Sequence, residues 1–426
     1  MRICFLQAQG QMYSGGLGVY LHYITRELAA LGHEVEVIAG PPYPDVAPGV
    51  RLHRLKTYSY WGRLAAMIWG YEEYADRHPF ELFHPLNFFE FATSRFTVSS
   101  LLNVYSLRAL ELLNELERQR PFDLVHDNQT LAYGVWLMRA RGRPVVATVH
   151  HPRELNQQTD LAELRSALRR VSSIVQYPWL MQRFVAPRLD CIVTDSNASA
   201  QAIERTYGVA RDRIRVVYIG VDADVFRRLD IRREPNSLLF VGNPDDSNKG
   251  VRYLLEALRL LKHELPVHLT IVQRPGSLEA RRLVQRLGLF GRVTFRESLT
   301  VPELVREYNR VELLVSPSLY EGFGLPAAEA MACETPVLAT TGGALPEVVS
   351  HGETGWLVPP GDARALAEAI RKLRNNVGLR ERLGRAGRQS VLERFSWRRA
   401  AHETADAYWD VLGRSREQAA FSQAVR

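Results

Sequence analysis

The sequence predicts an α/β protein of two domains, each carrying a mostly parallel sheet. Three observations lead there. The chain has 426 residues, more than one hydrophobic core commonly organises. Apolar runs of strand length alternate with helical patterns nearly throughout, which is how parallel sheets with crossover helices read. Apolar residues make up 46% and charged residues 24%, an ordinary balance for a globular chain.

Residues 2–7 read as the first strand. Gly15-Gly16 reads as a turn, after which Leu17, Tyr20, Leu21, Ile24, Leu28 and Leu31 share one helical face. Gly32 suits a C-cap and 35–39 the next strand. Later strands are expected at 122–126, 145–150 and 190–194. A second series begins after about residue 208. Its strands are expected at 237–241, 267–272, 292–296, 312–316, 336–339 and 355–358, and its helices at 250–262, 277–287, 301–310, 326–333 and 362–374. Residues 378–413 read as helical and arginine-rich. The expected domains are therefore 1–207, completed by a C-terminal helix 397–426, and 208–396.

Composition narrows the function. No apolar run reaches 18 residues, so no spanning helix is expected. The start, Met1-Arg2-Ile3-Cys4-Phe5-Leu6, lacks the apolar core and cleavage site of a signal peptide. Cys4, Cys191 and Cys333 are odd in number and far apart, which argues against a disulfide framework or a cysteine metal site and for a reducing cytoplasm. The net charge is +7, with 21 basic against 20 acidic residues in 1–209 and 33 against 27 in 210–426. No nucleic-acid signature accompanies it, so phosphate-bearing ligands fit better than nucleic acid. Residues 57–105 are dense in aromatic rings, including Tyr58, Trp61, Trp69, Phe83, Phe88, Phe89 and Phe96. They read as core beneath an inserted helical pair, or as an acceptor pocket, a dimer interface or a peripheral membrane contact at the inner face.

The chemistry concentrates in Ser316-Pro317-Ser318-Leu319-Tyr320-Glu321-Gly322-Phe323-Gly324-Leu325-Pro326, followed by a helix bearing Glu329. A strand ends near Ser316, a glycine loop follows, and Pro326 suits the first helical position. The first turn leaves backbone N–H groups free at the positive end of the helix, an anion site suited to a diphosphate. Gly322 and Gly324 allow close approach of the backbone. Carboxylates cannot favour phosphate, so Glu321 and Glu329 are assigned to neutral hydroxyls, of a sugar and a ribose. Elsewhere, Val146-Ala147-Thr148-Val149-His150 puts His150 at the end of a buried strand, the side of an open α/β sheet that faces ligands. His151 beside it is expected to point away, and no third ligand at suitable spacing supports a metal.

The segment from Ser316 resembles the E-x7-E motif of retaining GT-B glycosyltransferases, in the large fourth family that includes phosphatidylinositol mannosyltransferases and sucrose synthases. The resemblance continues through Thr335-Pro336-Val337, Gly342-Gly343, Pro346-Glu347-Val348-Val349 and Gly355-Trp356-Leu357-Val358-Pro359-Pro360-Gly361-Asp362. Gly15-Gly16 with Gly32-His33-Glu34-Val35 is similar to the family's glycine loop and following strand. Phe240-Val241-Gly242-Asn243, with Lys249-Gly250, is similar to its diphosphate loop. The resemblance implies a GT-B fold, two Rossmann-like domains facing across a central cleft. It implies donor contacts from Gly15, Gly16, Lys249, Glu321, Gly322, Phe323, Gly324, Leu325 and Glu329, and a catalytic set of His150, Lys249 and Glu321, with His150 lying against the donor sugar.

Three positions depart from the family pattern. Asn243 stands where an arginine is expected, so Arg252 and Arg274 are candidate replacements on the diphosphate, and Arg274 lies where a Gly-x-Gly is more usual. After Phe122-Asp123-Leu124-Val125, the pair His126-Asp127 lacks the family's second histidine and reads as hydrogen-bonded structure. Asp222-Ala223-Asp224 imitates a metal-binding D-x-D but lies in an interdomain stretch with Gly220. The implied activity is retaining transfer of a sugar from a UDP-, GDP- or ADP-sugar to a small-molecule or lipid-linked acceptor, without cofactor or metal, by same-face displacement. The alternatives are a non-catalytic nucleotide-sugar binding protein and a GT-B sugar-nucleotide epimerase. Neither the base, the sugar, the acceptor nor the oligomeric state is legible.

Overall fold

A computed structural model describes residues 1–10, 16–57, 84–94, 98–152, 154, 179–273 and 276–424. The chain divides into two compact units. The first holds Met1–Asp195, Ser199–Val217 and the C-terminal stretch from Ala400. The second holds Ser196–Ala198 and Tyr218–Arg399.

The first unit carries a seven-stranded sheet in the order β3-β2-β1-β4-β5-β6-β7. These strands are β1 (Arg2–Gln7), β2 (Glu34–Ala39), β3 (Arg51–Arg54), β4 (Leu124–Asn128), β5 (Val145–Thr148), β6 (Cys191–Thr194) and β7 (Ile214–Val216). All pair in parallel. β1, β4, β5 and β6 are buried along their whole length, as strands covered on both faces must be. Helices α1 (Gly16–Ala30), α2 (Pro85–Thr93), α3 (Val98–Gln119), α4 (Tyr133–Ala140), α5 (Trp179–Val185) and α6 (Asn197–Tyr207) connect them. Because β7 hydrogen-bonds β6, this unit runs to Val217, past the expected boundary at Tyr207.

The second unit carries a six-stranded sheet in the order β10-β9-β8-β11-β12-β13. Its strands are β8 (Ser237–Val241), β9 (His268–Gln273), β10 (Val293–Glu297), β11 (Leu313–Ser316), β12 (Val337–Thr340) and β13 (Trp356–Val358), again parallel. The helices are α7 (Val251–Leu261), α8 (Glu279–Arg286), α9 (Val301–Arg310), α10 (Leu325–Ala332), α11 (Leu345–Val348), α12 (Ala363–Arg374) and α13 (Val377–Arg394). On α7 the buried residues Val251, Leu254, Leu255, Leu258 and Leu261 form one stripe. Each such side chain contributes roughly 2 kcal/mol when removed from water. α9 starts on a capping box, Thr300 with Glu303, which satisfies two N–H groups that the helix start leaves open.

The helical stretch over 378–413 is two helices, α13 and α14 (Trp397–Ala424), the second starting where the C-terminal helix is expected. The break at Phe395–Ser396 has a packing cause. Phe395 is 1% exposed, and its carbonyl accepts the N–H of Val221 at 3.0 Å. A Cβ at Gly220 would lie 2.1 Å from the Trp397 nitrogen, so only glycine lets the two segments touch. Of the aromatic tract, Phe88 and Phe89 on α2 are exposed and Tyr105 on α3 is buried. Tyr58, Trp61, Trp69, Phe83 and Phe96 lie outside the described residues.

Candidate functional site

In the second unit the chain runs outward from β8 to β10, then returns to place β11 on the other side of β8. Open α/β sheets bind ligands outside the carboxyl ends of the strands at such a reversal. Two loops leave the sheet there. After β8, Asp246 accepts the N–H of Asn248 and caps the short turn Ser247–Lys249. Gly250, at φ +61, then swings the chain into α7. After β11, the loop 317–324 carries Glu321, and Gly324 at φ +100 opens α10. The helix begins at Leu325, so Pro326 occupies its second position rather than the first, where its missing N–H is equally harmless.

The two loops meet through charge. Lys249 Nζ donates to Glu321 Oε1 at 2.8 Å, and Ser318 Oγ donates to the same oxygen at 2.8 Å. Burial pushes the Lys249 ammonium down, but the charge and hydrogen bond of Glu321 and the charge of Asp246 outweigh it and hold its pKa above the usual value. Burial likewise raises the Asp246 carboxyl, against the pull of Lys249. Glycines let the backbones close up. A Cβ at Gly250 would lie 2.1 Å from Pro317 O, and one at Gly343 (φ +61) 2.2 Å from Glu321 O. Leu319 N donates to Asn248 O at 2.7 Å and Ala344 N to Glu321 O at 2.9 Å.

Glu329 sits inside α10, 8% exposed. Its Oε2 accepts the Tyr308 hydroxyl of α9 at 2.7 Å. Burial raises its carboxyl to about 7, a rise the Tyr308 bond only partly offsets. Gly322 is buried. Phe323 turns its ring into the core, edge-on to Phe395 at 5.3 Å, so what Phe323 and Leu325 offer a ligand is backbone at the helix start. Asn243 Oδ1 accepts the N–H of Asp245 at 3.1 Å. The Asp245 carboxylate in turn accepts from Leu278, Glu279 and Ala280 and caps α8. Arg252, a candidate replacement cation, pairs with Glu256 at 3.0 Å along the exposed side of α7, an i,i+4 ion pair. Arg274 lies outside the described residues. Asp222 Oδ1 accepts the N–H groups of Asp224 and Val225, shaping a turn. Among the described residues no three of His, Cys, Asp and Glu gather as a metal site.

In the first unit the reversal lies between β1 and β4. Gln7 ends β1 and Asn128 ends β4, and Asn128 Nδ2 donates to Gln7 Oε1 at 2.5 Å. His150 follows β5 by two residues, beyond the reach of strand alternation, and is held from several sides. Nδ1 meets Asp195 Oδ2 at 2.5 Å, Nε2 lies 3.3 Å from Asn128 Oδ1, and the ring meets Tyr20 edge-on at 4.8 Å. His126 is fully buried, stacked on Phe5 at 4.4 Å, between Tyr408 OH of α14 at 2.5 Å and Thr148 Oγ1 at 2.7 Å. Burial, and then the charge of His150, push its imidazole down to about 3. Asp127 Oδ2 accepts the N–H of Leu131 at 2.8 Å. Gly16 opens α1, and a Cβ there would meet nothing within 4 Å among the described residues. Gly15 lies outside the described residues.

The structure thus brings Lys249 to Glu321 on one sheet and places His150 at the carboxyl edge of the other. Sequence reasoning missed Asp195, Asn128 and Tyr20 around His150, and Ser318, Tyr308 and Asp245 in the second unit. Asp195 directly follows the strand Cys191–Thr194, so the strand-end rule that singled out His150 also reaches it.

A fold of two parallel-sheet units with these loops defines a GT-B glycosyltransferase, and comparison with known proteins agrees. Residues 235–376 match the family model for glycosyl transferases group 1, and residues 15–220 match the glycosyl transferase 4-like domain. The chain is 34% identical to the MMP alpha-(1->4)-mannosyltransferase of Mycolicibacterium hassiacum, over 97% of this chain and 99% of that protein. Among solved structures it is similar to sucrose-phosphate synthase from Thermosynechococcus elongatus, with TM-score 0.74 and 23% identity over 97% of this chain and 99% of the other. It is also similar to Anabaena HepE in complex with UDP-glucose, with TM-score 0.67 and 18% identity over 96% and 100%. The chain belongs to the group 1, family-4-type glycosyltransferases. It is a hexosyltransferase-type enzyme.

Proposed function

We propose that this enzyme moves a hexose from a nucleoside diphosphate sugar to an acceptor hydroxyl with retention at the anomeric carbon, without a metal, by same-face displacement. The pairing of Lys249 with Glu321 at the reversal of the second sheet carries the reading. Lys249 supplies a firmly protonated cation to the leaving diphosphate, beside the positive end of α10. Glu321 and Glu329 face donor hydroxyls. Both are already hydrogen-bonded, to Lys249 and Ser318 and to Tyr308, which suits binding better than nucleophilic attack. The acceptor oxygen bonds to the anomeric carbon as the carbon–phosphate oxygen bond breaks, and the acceptor's proton passes to the departing phosphate oxygen. His150 orients the sugar.

The relative's name speaks for a mannosyl donor and the HepE complex for a glucosyl one. The test supplies GDP-mannose and UDP-glucose separately, with a simple α-mannoside or glucoside acceptor and excess EDTA, and follows the first product by proton NMR. An α-linked product formed undiminished in EDTA is expected. A β-linked first product, or activity that EDTA abolishes and magnesium restores, overturns the reading.

A further inference from the structure

Asp195 is 3% exposed, and its Oδ2 meets His150 Nδ1 at 2.5 Å. Its other oxygen, Oδ1, is buried with no hydrogen-bond partner among the described residues. A buried carboxylate so poorly supplied with donors needs a neighbouring positive charge. The far side of the imidazole points the same way. Asn128 Nδ2 is committed to Gln7 Oε1 at 2.5 Å and Leu17 O at 3.3 Å. The amide oxygen therefore faces His150 Nε2, and an oxygen there is satisfied only by an N–H. Both ring nitrogens face acceptors. The rest of the residue is equally fixed. Its N–H donates to Gln129 Oε1 at 3.2 Å, and its carbonyl accepts Ser199 Oγ at 2.7 Å. Among the described titratable groups around the ring, Tyr20 from α1 offers its edge and His126 of β4 is held neutral by burial. Asp195, at the end of β6, is the anion.

We infer that Asp195 is a positioning residue and counter-ion that keeps His150 as a doubly protonated imidazolium, so that Nε2–H is presented as a donor to a ligand oxygen. The inference rests on the reading of His150 as a donor-sugar contact. On it, a sugar hydroxyl or phosphate oxygen replaces Asn128 Oδ1 at Nε2, and the bond strengthens as negative charge develops.

The test combines a spectrum with kinetics on the full chain. In nitrogen-15 NMR, the His150 ring signals are assigned by their loss in His150→Gln. Wild type is expected to show protons on both nitrogens at neutral pH, and Asp195→Asn on one. A neutral His150 ring in wild type overturns the inference whatever the variants do. Turnover is read as nucleotide release from GDP-mannose or UDP-glucose. Asp195→Asn is expected to lower kcat roughly 10–100-fold while donor KM moves less than about threefold, with partial rescue by Asp195→Glu. If His150→Ala is inactive while Asp195→Asn turns over as wild type, this inference alone fails. If His150→Ala itself is fully active, the underlying assignment of His150 fails.

Discussion

Replacing Glu329 by glutamine should stabilise the second unit and weaken donor binding at once. Glu329 is 8% exposed and its partner Tyr308 fully buried, and burial lifts the carboxyl from 4.5 to about 7. At about 1.4 kcal/mol per unit, holding the ionised form in place costs about 3 kcal/mol. The sign follows from linkage. A folded-state pKa above the unfolded value means that the folded chain binds the proton more tightly. The stability it confers is complete below the unfolded value of 4.5 and is lost as pH rises through about 7. Glutamine keeps the shape and still accepts the Tyr308 hydroxyl, but carries no charge to desolvate. Above pH 7 the variant should gain up to about 3 kcal/mol, which at 2–4 °C per kcal/mol is roughly 6–12 °C in the melting of a domain this size. Toward pH 4.5 the gain should vanish. Thermal unfolding by circular dichroism at both ends of this range measures it, and nucleotide titration calorimetry should show weaker binding, since a carboxylate accepts ribose hydroxyls more strongly than an amide. No gain at alkaline pH, or an equal gain at both, would refute the argument that a buried charge is stored at this site at the expense of stability.

Lys249→Ala should cut donor turnover by about 10²–10³-fold, because it removes the cation for the leaving group and strands Glu321; steady-state nucleotide release measures it, and a loss below about tenfold would count against the assignment. Tyr408→Phe leaves the buried His126 Nδ1 without its partner, so the first unit should lose about 1–3 kcal/mol, read as a lower urea midpoint. Gly250→Ala would put a methyl 2.1 Å from Pro317 O at a backbone φ of +61. It should destabilise the second unit by about 1–3 kcal/mol and weaken nucleotide binding together, since the same loop carries Lys249; calorimetry with and without nucleotide checks both.

What the sequence determined by itself is local or periodic. The strand over 237–241 and the helix over 301–310 were legible to the residue, because continuous apolar runs and a Thr-x-x-Glu cap encode them without reference to the rest of the chain. The glycine loop before α10, with Glu321 and Glu329 at their stations, was legible for the same reason. The tertiary structure decided what depends on partners distant in the chain. Ile214–Val216 is too short to announce itself and became a strand only because β6 offered its free edge. The break before the helix that the sequence starts at 397 is held in place where Phe395 and Trp397 meet Val221 and Gly220. Arg252 meets Glu256 one turn along α7. Asp195 and Asn128 converge on His150 from strands 45 and 22 residues away. Residue spacing specifies each strand end, but the order in which a parallel sheet assembles its strands specifies which ends become neighbours, and hence whether an imidazole meets a carboxylate.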